Sequence, residues 1–203
     1  DFSVYLRVLL IAVCCAVLSI VFCFVLKNSA RLYRIFIRNA YIRIAAGGAA
    51  VAALTFLCGT YDYNGAGGEV INRAFVESAS WEQFALKLLF TALTLGAGFK
   101  GGEIMPGFFV GATFGSALAP LLGLDCSLGA AIGMSCLFCG VTNCPVTAVL
   151  LCTELFGAEY LPLYLLACSC AYMLSGYAGL YSEQKILYSK LEPKYIDKKI
   201  GKA

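Results

Sequence analysis

Histidine is absent from the 203 residues. Without imidazole, the Ser/His and Cys/His nucleophile arrangements are excluded, together with histidine as proton shuttle or metal ligand. Charge is scarce too. Asp, Glu, Lys and Arg make up 13% of the chain, where a soluble domain carries roughly 25%, while 61% is apolar and the mean hydropathy is +0.82. So few charges cannot coat an outer surface, so lipid must be the solvent. The net charge of +3 is small and dispersed, with no basic stripe interleaved with aromatics, and no nucleic-acid partner is expected.

Cysteine is abundant, with eleven residues, but most lie inside apolar runs: Cys14, Cys15, Cys23, Cys58, Cys152, Cys168 and Cys170. There they read as small hydrophobes. Cys136 and Cys139 form one CxxC, which suits a thiol/disulfide couple or half a zinc site. With no second CxxC and no histidine to complete a shell, neither a metal nor another cofactor is expected. The pair leaves an enzyme as a competing reading, a membrane thiol oxidoreductase. The odd total argues against a secreted disulfide framework.

Along the chain, Tyr5 to Leu26 is about the length needed to cross a ~30 Å hydrocarbon layer. Lys27, Arg31, Arg34, Arg38 and Arg43 follow without an acid among them, and the Lys/Arg loop bias puts that end on the cytoplasmic side. Ile44 to Cys58 is a second span, rich in small residues that permit close helix approach. Residues 59–82 form an outer connection with turn signals at Asn64-Gly65 and Gly67-Gly68. A third apolar run, Phe84 to Leu95, is too short to cross and stops in Gly96, Gly98, Gly101 and Gly102, after which apolar character resumes at once. Leu128 to Phe156 is interrupted at Gly140 and Asn143-Cys144-Pro145, and Tyr160 to Leu174 follows. Backbone breaks at membrane depth must be buried in protein or line an aqueous cavity. The expected fold is therefore all-α: a polytopic integral membrane helical bundle with broken or re-entrant helices. A transmembrane domain over 1–182 and a basic cytoplasmic tail over 183–203 complete the expected organisation.

The segment from Gly98 to Pro106 joins a glycine loop to a new helix, expected to start at about Met105 or Pro106. Amides at such a start lack intrahelical acceptors and have the positive end of the macrodipole behind them, which makes an anion site without a buried cation. A proline kink within one long helix is the alternative. Glu103 at the break is an ionisable group at membrane depth, suited to taking up and releasing a proton; pairing with Lys100 or capping the helix is the alternative there. Beyond the break, Gly107, Gly111 and Gly115 recur every fourth residue, a stripe for tight helix contact.

GGEIMPGFFVGATFG resembles the GxFxP segment of the CLC family of chloride channels and anion/proton antiporters. IGMSCLFCGVTNCPVTAVLLCTELFG is similar to the family's long apolar stretch with its mid-helix proline and terminal glutamate, here Pro145 and Glu154. SGYAGLYSEQKI resembles the segment whose tyrosine hydroxyl reaches the central anion, here Tyr181. The likeness spans essentially the whole chain but only the second of the family's two inverted repeats, and a chain beginning at Asp1 is expected to be part of a longer protein.

The resemblance implies transport of a halide, chloride or fluoride, coupled to proton antiport, with Gly102, Ile104, Met105 and Tyr181 binding the anion and Glu103 handling protons. Two departures bear on ion choice: Ile104 stands where the family has phenylalanine, and Met105 where the fluoride/proton branch has a small hydroxyl residue. GFKGGE before the proline is nonetheless more like that branch than like the chloride channels. A passive chloride channel is the second implied reading. A bacterial plasma-membrane location and a homodimer of complete subunits, in contact over Asn143 to Leu174, are implied as well.

Overall fold

The computed structural model describes residues 2–181 and 183–200; Lys202 of the basic tail and the tail's boundary at Ser182 lie outside them. The described residues form eight α-helices, one short 3-10 turn and a two-stranded hairpin. Helix α1 (Phe2–Phe36) is 35 residues long, roughly 52 Å at 1.5 Å per residue, so it outruns the bilayer and carries Lys27, Arg31 and Arg34 on a helical extension rather than a loop. It is followed by α2 (Ala40–Cys58), α3 (Gly68–Val76), α4 (Trp81–Ala97), α5 (Ile104–Leu118), a turn at Pro120–Leu122, then α6 (Cys126–Thr142), α7 (Pro145–Phe156) and α8 (Leu161–Leu174). By length and composition α1, α2 and residues 104–122 are able to cross a membrane; α6, α7 and α8 are apolar but shorter.

Helix α1 is the axis, packing against α4, α6 and α8. Its Val8, Ile11, Ala12 and Cys15 join Cys136, Cys139, Cys168 and Ala171 in one core, and Phe22, Cys23 and Leu26 join Leu88, Val110 and Leu137 in another. The redox reading loses its footing here. Cys136 and Cys139 are both 0% exposed, on the same helix and unbridged, whereas a working thiol couple needs access for its partner.

The most extensive helix contact is between α5 and α6. A Cβ on Gly111 would lie 2.6 Å from the Gly133 carbonyl oxygen, and one on Gly115 would collide with that of Gly129. Two backbones therefore touch, the arrangement that small-residue stripes allow. Gly107 takes no part: a Cβ there meets nothing within 4 Å, so the contact face is Gly111 and Gly115 mated with Gly129 and Gly133. At α2 the small residues serve the same purpose, Gly47 sitting against Ala97 of α4.

After α8 the chain forms an antiparallel hairpin, β1 (Lys185–Tyr188) and β2 (Tyr195–Lys199), an element the sequence pattern did not announce. It is docked on the bundle. Lys190 donates to Asn143 Oδ1, to the Tyr172 carbonyl at 2.8 Å and to Ser175 Oγ at 3.2 Å, with its ammonium 4.1 Å from the Tyr172 ring centre. Hydrogen bonds from a charged donor contribute about 1.5–3 kcal/mol. Lys190→Met is therefore expected to release the hairpin by about that amount, read as faster amide exchange over residues 185–199 with exchange in α5 and α6 unchanged.

Candidate anion site

The break after α4 is built by local chemistry. Gly98 adopts the left-handed conformation (φ 102°), its N–H bonds to Leu95 O at 3.1 Å and that of Phe99 to Thr94 O at 3.4 Å, a Schellman ending. Arg43 of α2 donates from Nε to the Ala97 carbonyl at 3.1 Å, placing a cation at the negative end of α4. The chain then runs without helical structure until Ile104. The single kinked helix is thus excluded. Because Arg43, Gly47 and Lys27 surround it, the break lies nearer the basic ends of α1 and α2 than their opposite ends.

Helix α5 starts at Ile104, one to two residues earlier than its proline suggests, with Pro106 third in the helix. Proline is tolerated there because that position has no intrahelical acceptor either. The first helical bond is from Gly107 N–H to Glu103 O, 3.2 Å, so among the described residues the amides of Ile104 and Met105 have no backbone acceptor. Glu103 occupies the capping position, but its side chain makes no capping bond, and among the described residues it forms no ion pair with Lys100. Both structural alternatives for this carboxylate are thereby removed.

Tyr181 arrives from the far end of the chain. The α6–α7 junction turns at Asn143, whose left-handed backbone (φ 57°) asparagine tolerates well, with Pro145 opening α7. Asn143 Nδ2 donates to Ala178 O at 2.8 Å and Leu180 N–H to Val141 O at 2.9 Å, fastening residues 178–180 along the end of α6. The next residue, Tyr181, then shares one cavity of about 610 Å³ with Gly101, Gly102, Glu103, Ile104 and Met105. Met105 and Tyr181 are 41% and 45% exposed, so both are open to it. Asn143 and Leu180 therefore orient a candidate site residue without belonging to the site. Sequence flags Asn143 as a turn but not what it holds. Pro106 closes the first turn, while Gly111 and Gly115 serve the α6 contact rather than the cavity.

A second cavity of about 870 Å³ adjoins the first, sharing Glu103 and Glu183 with it, and is lined by Lys27, Arg31 and Arg34 of α1, while Lys199 of β2 is paired there with Glu183 at 2.8 Å. Cations concentrated in a cleft raise the local anion concentration. The route from the basic helix extension thus leads to the amides of Ile104 and Met105, the carboxylates of Glu103 and Glu183, and the phenol of Tyr181.

Broken helices that bring N-terminal amides and an ionisable group to one cavity inside a bundle of apolar helices mark a polytopic membrane protein of the kind in which such breaks line ion sites. The chain belongs to the voltage-gated chloride channel family, whose profile matches residues 1–176. It is 39% identical over 156 residues to a chloride/fluoride channel protein of Pseudomonas syringae pv. tomato, an alignment covering 73% of this chain and 34% of that one. An uncharacterized protein of Methanocaldococcus jannaschii is 36% identical over 75 residues, 36% of this chain and 19% of that one. The crystal structure of a CLC-type fluoride/proton antiporter superposes with a TM-score of 0.85 at 31% identity, covering 89% of this chain and 46% of that one. The chain thus spans between a fifth and a half of the length of these relatives.

Proposed function

We propose that this chain supplies one half of the ion pathway of a halide transporter that exchanges the anion for protons. The Ile104 and Met105 amides and the Tyr181 hydroxyl hold the dehydrated halide, Gly102 keeps the approach free of side chains, and Glu103 takes up and releases the proton. The observation that carries this reading is the meeting of these groups in one cavity beside a basic vestibule. An amide pair at a helix start binds an anion without a permanent counter-charge, so the ion is able to leave again.

Fluoride is favoured over chloride by the acid that precedes the helix start and by the likeness to a fluoride/proton antiporter. Exchange with protons is favoured over a passive chloride channel because Glu103 is committed neither to a cap nor to Lys100. The protein acts as a transporter rather than an enzyme, in a bacterial plasma membrane. Val146, Leu150 and Leu155 of α7 with Leu165 and Met173 of α8 are exposed apolar residues that suit a homodimer contact between complete subunits.

The test is efflux of fluoride and of chloride from liposomes containing the full-length protein, with pH recorded simultaneously. Halide efflux accompanied by opposite proton movement is the expected result; efflux without proton movement would return the channel reading. Tyr181→Phe removes one donor to a charged ligand, about 1.5–3 kcal/mol, and is expected to weaken halide binding by about tenfold to a hundredfold in equilibrium titration.

A further inference from the structure

Residues 177–180, which lead into Tyr181, are held from two sides. On one side is the end of α6, where Asn143 Nδ2 donates to Ala178 O at 2.8 Å and Val141 O accepts from Leu180 N–H at 2.9 Å. On the other is the C-terminal hairpin. Ile200 is buried at its end, so close that a Cβ on Gly179 would fall 2.6 Å from Ile200 Cγ2 and 2.8 Å from Asn143 Nδ2. Only a residue without a side chain fits between the two. Tyr177 Oη donates to Ser189 Oγ at 3.3 Å, and the base of the hairpin is tied to the site residue itself: Gln184 N–H donates to Tyr181 O at 3.1 Å and Ile200 N–H to Gln184 O at 3.0 Å.

One side chain fastens the two sides together. Lys190, in the connection between β1 and β2, donates to Asn143 Oδ1 while the other end of the same amide holds Ala178 O. An ammonium has three donors and no acceptor, so Asn143 must present its oxygen to Lys190 and its NH2 group is thereby turned toward Ala178. The other two bonds of Lys190, to Tyr172 O at 2.8 Å and Ser175 Oγ at 3.2 Å, anchor it on the end of α8. Lys190 does not line the anion cavity, yet every contact that orders the approach to Tyr181 is either made by its amide partner or carried by the hairpin it fastens.

We propose that Lys190 is a positioning residue of the anion site: through Asn143 and the hairpin it sets where the Tyr181 hydroxyl stands relative to the Ile104 and Met105 amides. That the hydroxyl holds a halide rests on the reading above; the link from Lys190 to residues 178–181 rests on the contacts alone. Hydrogen bonds weaken steeply with distance and misalignment, so a hydroxyl left unheld binds the ion less well although the phenol is intact.

The test uses the full-length protein. In Lys190→Met, equilibrium titration with fluoride and with chloride is expected to show halide affinity lowered about tenfold, the scale of one weakened bond to a charged ligand. In a Tyr181→Phe background the same substitution is expected to cost less than about twofold, because the hydroxyl it positions is already gone; a residue that only stabilises the fold costs the same in both backgrounds. Two readouts need no halide: in Lys190→Met the Leu180 amide is expected to exchange faster, and fluorotyrosine placed at residue 181 to give a broadened fluorine resonance. Ile200→Ala leaves every Lys190 bond in place while removing the contact on Gly179, and is expected to lower halide affinity in the same direction and to be silent in Tyr181→Phe; this arm stands even where Lys190→Met fails to fold. Unchanged halide affinity in either folded variant, or equal losses with and without the Tyr181 hydroxyl, overturns the proposal and leaves the hairpin as a cover for the end of the bundle. A wild type that binds no halide sinks the halide reading alone; the link from Lys190 to Tyr181 then stands if Leu180 exchange and the residue 181 resonance change in Lys190→Met and falls if they do not.

Discussion

Glu103→Gln in the full-length protein is expected to leave halide movement measurable while lowering the accompanying proton movement about a hundredfold or more, the scale on which a positioned acid–base group acts. Glutamine keeps the shape of the side chain and resembles its protonated form, with one acceptor oxygen and a donor group, but is unable to ionise. The expectation follows from what Glu103 does not do. It sits at the capping position of α5 in a helical conformation (φ −92°, ψ −18°), unlike the extended backbone of a working cap, and its carboxylate makes no bond to the first turn. It borders both the basic vestibule and the cavity holding Ile104, Met105 and Tyr181, the position of a group that must meet protons from one side and the anion from the other. Simultaneous halide-electrode and pH recording decides the matter. A wild-type proton-to-halide ratio in the Glu103→Gln variant removes Glu103 from the mechanism.

Gly115→Ala is expected to be the most damaging single methyl in the chain. The added carbon collides with the Gly129 carbonyl oxygen and falls 2.9 Å from Gly133 Cα, so the obstacle is backbone on both counts. No rotamer change relieves it; α5 has to move away from α6. Overpacking of this kind costs about 1–3 kcal/mol where side chains are able to yield, and the upper end or beyond is expected here. Displacement of α5 also carries its first turn away from Tyr181, so halide binding falls together with thermal stability in detergent. Gly111→Ala behaves in the same way, with its contact 2.6 Å from Gly133 O. Gly107→Ala is the control for stability: its Cβ meets nothing within 4 Å, and alanine is favoured over glycine inside a helix by about 1 kcal/mol. Equal melting temperatures for the Gly107, Gly111 and Gly115 variants would show that the α5–α6 contact is looser than its geometry indicates.

Much of this arrangement is legible in the sequence because it depends on residues close together in the chain. Gly98 ends one helix and Pro106 lies in the first turn of the next, and both effects act within a turn or two of backbone. Asn143-Cys144-Pro145 does the same between α6 and α7. The position of the α5 start shifts by one to two residues because proline is accepted anywhere in the first turn, a degeneracy no local rule lifts. The hairpin at residues 185–199 carried little signal, since its strands are short and mostly exposed and its connection is held to distant residues, Asn143, Tyr172 and Ser175, through Lys190.

Composition alone determined that lipid is the solvent: too few charges exist to hydrate a surface, and no fold is able to alter that count. Glycine, proline and the Lys/Arg distribution determined where helices break and which ends are basic, through backbone torsions and membrane electrostatics that act locally. Only the tertiary structure decided which glycines meet, that Gly107 stays out of the α5–α6 contact, and that Val141 and Asn143 deliver Tyr181 to a helix start more than seventy residues earlier in the chain. Such pairings depend on the packing of distant segments, and a side chain's partner across that distance is set by the shapes of the intervening helices rather than by its neighbours in sequence.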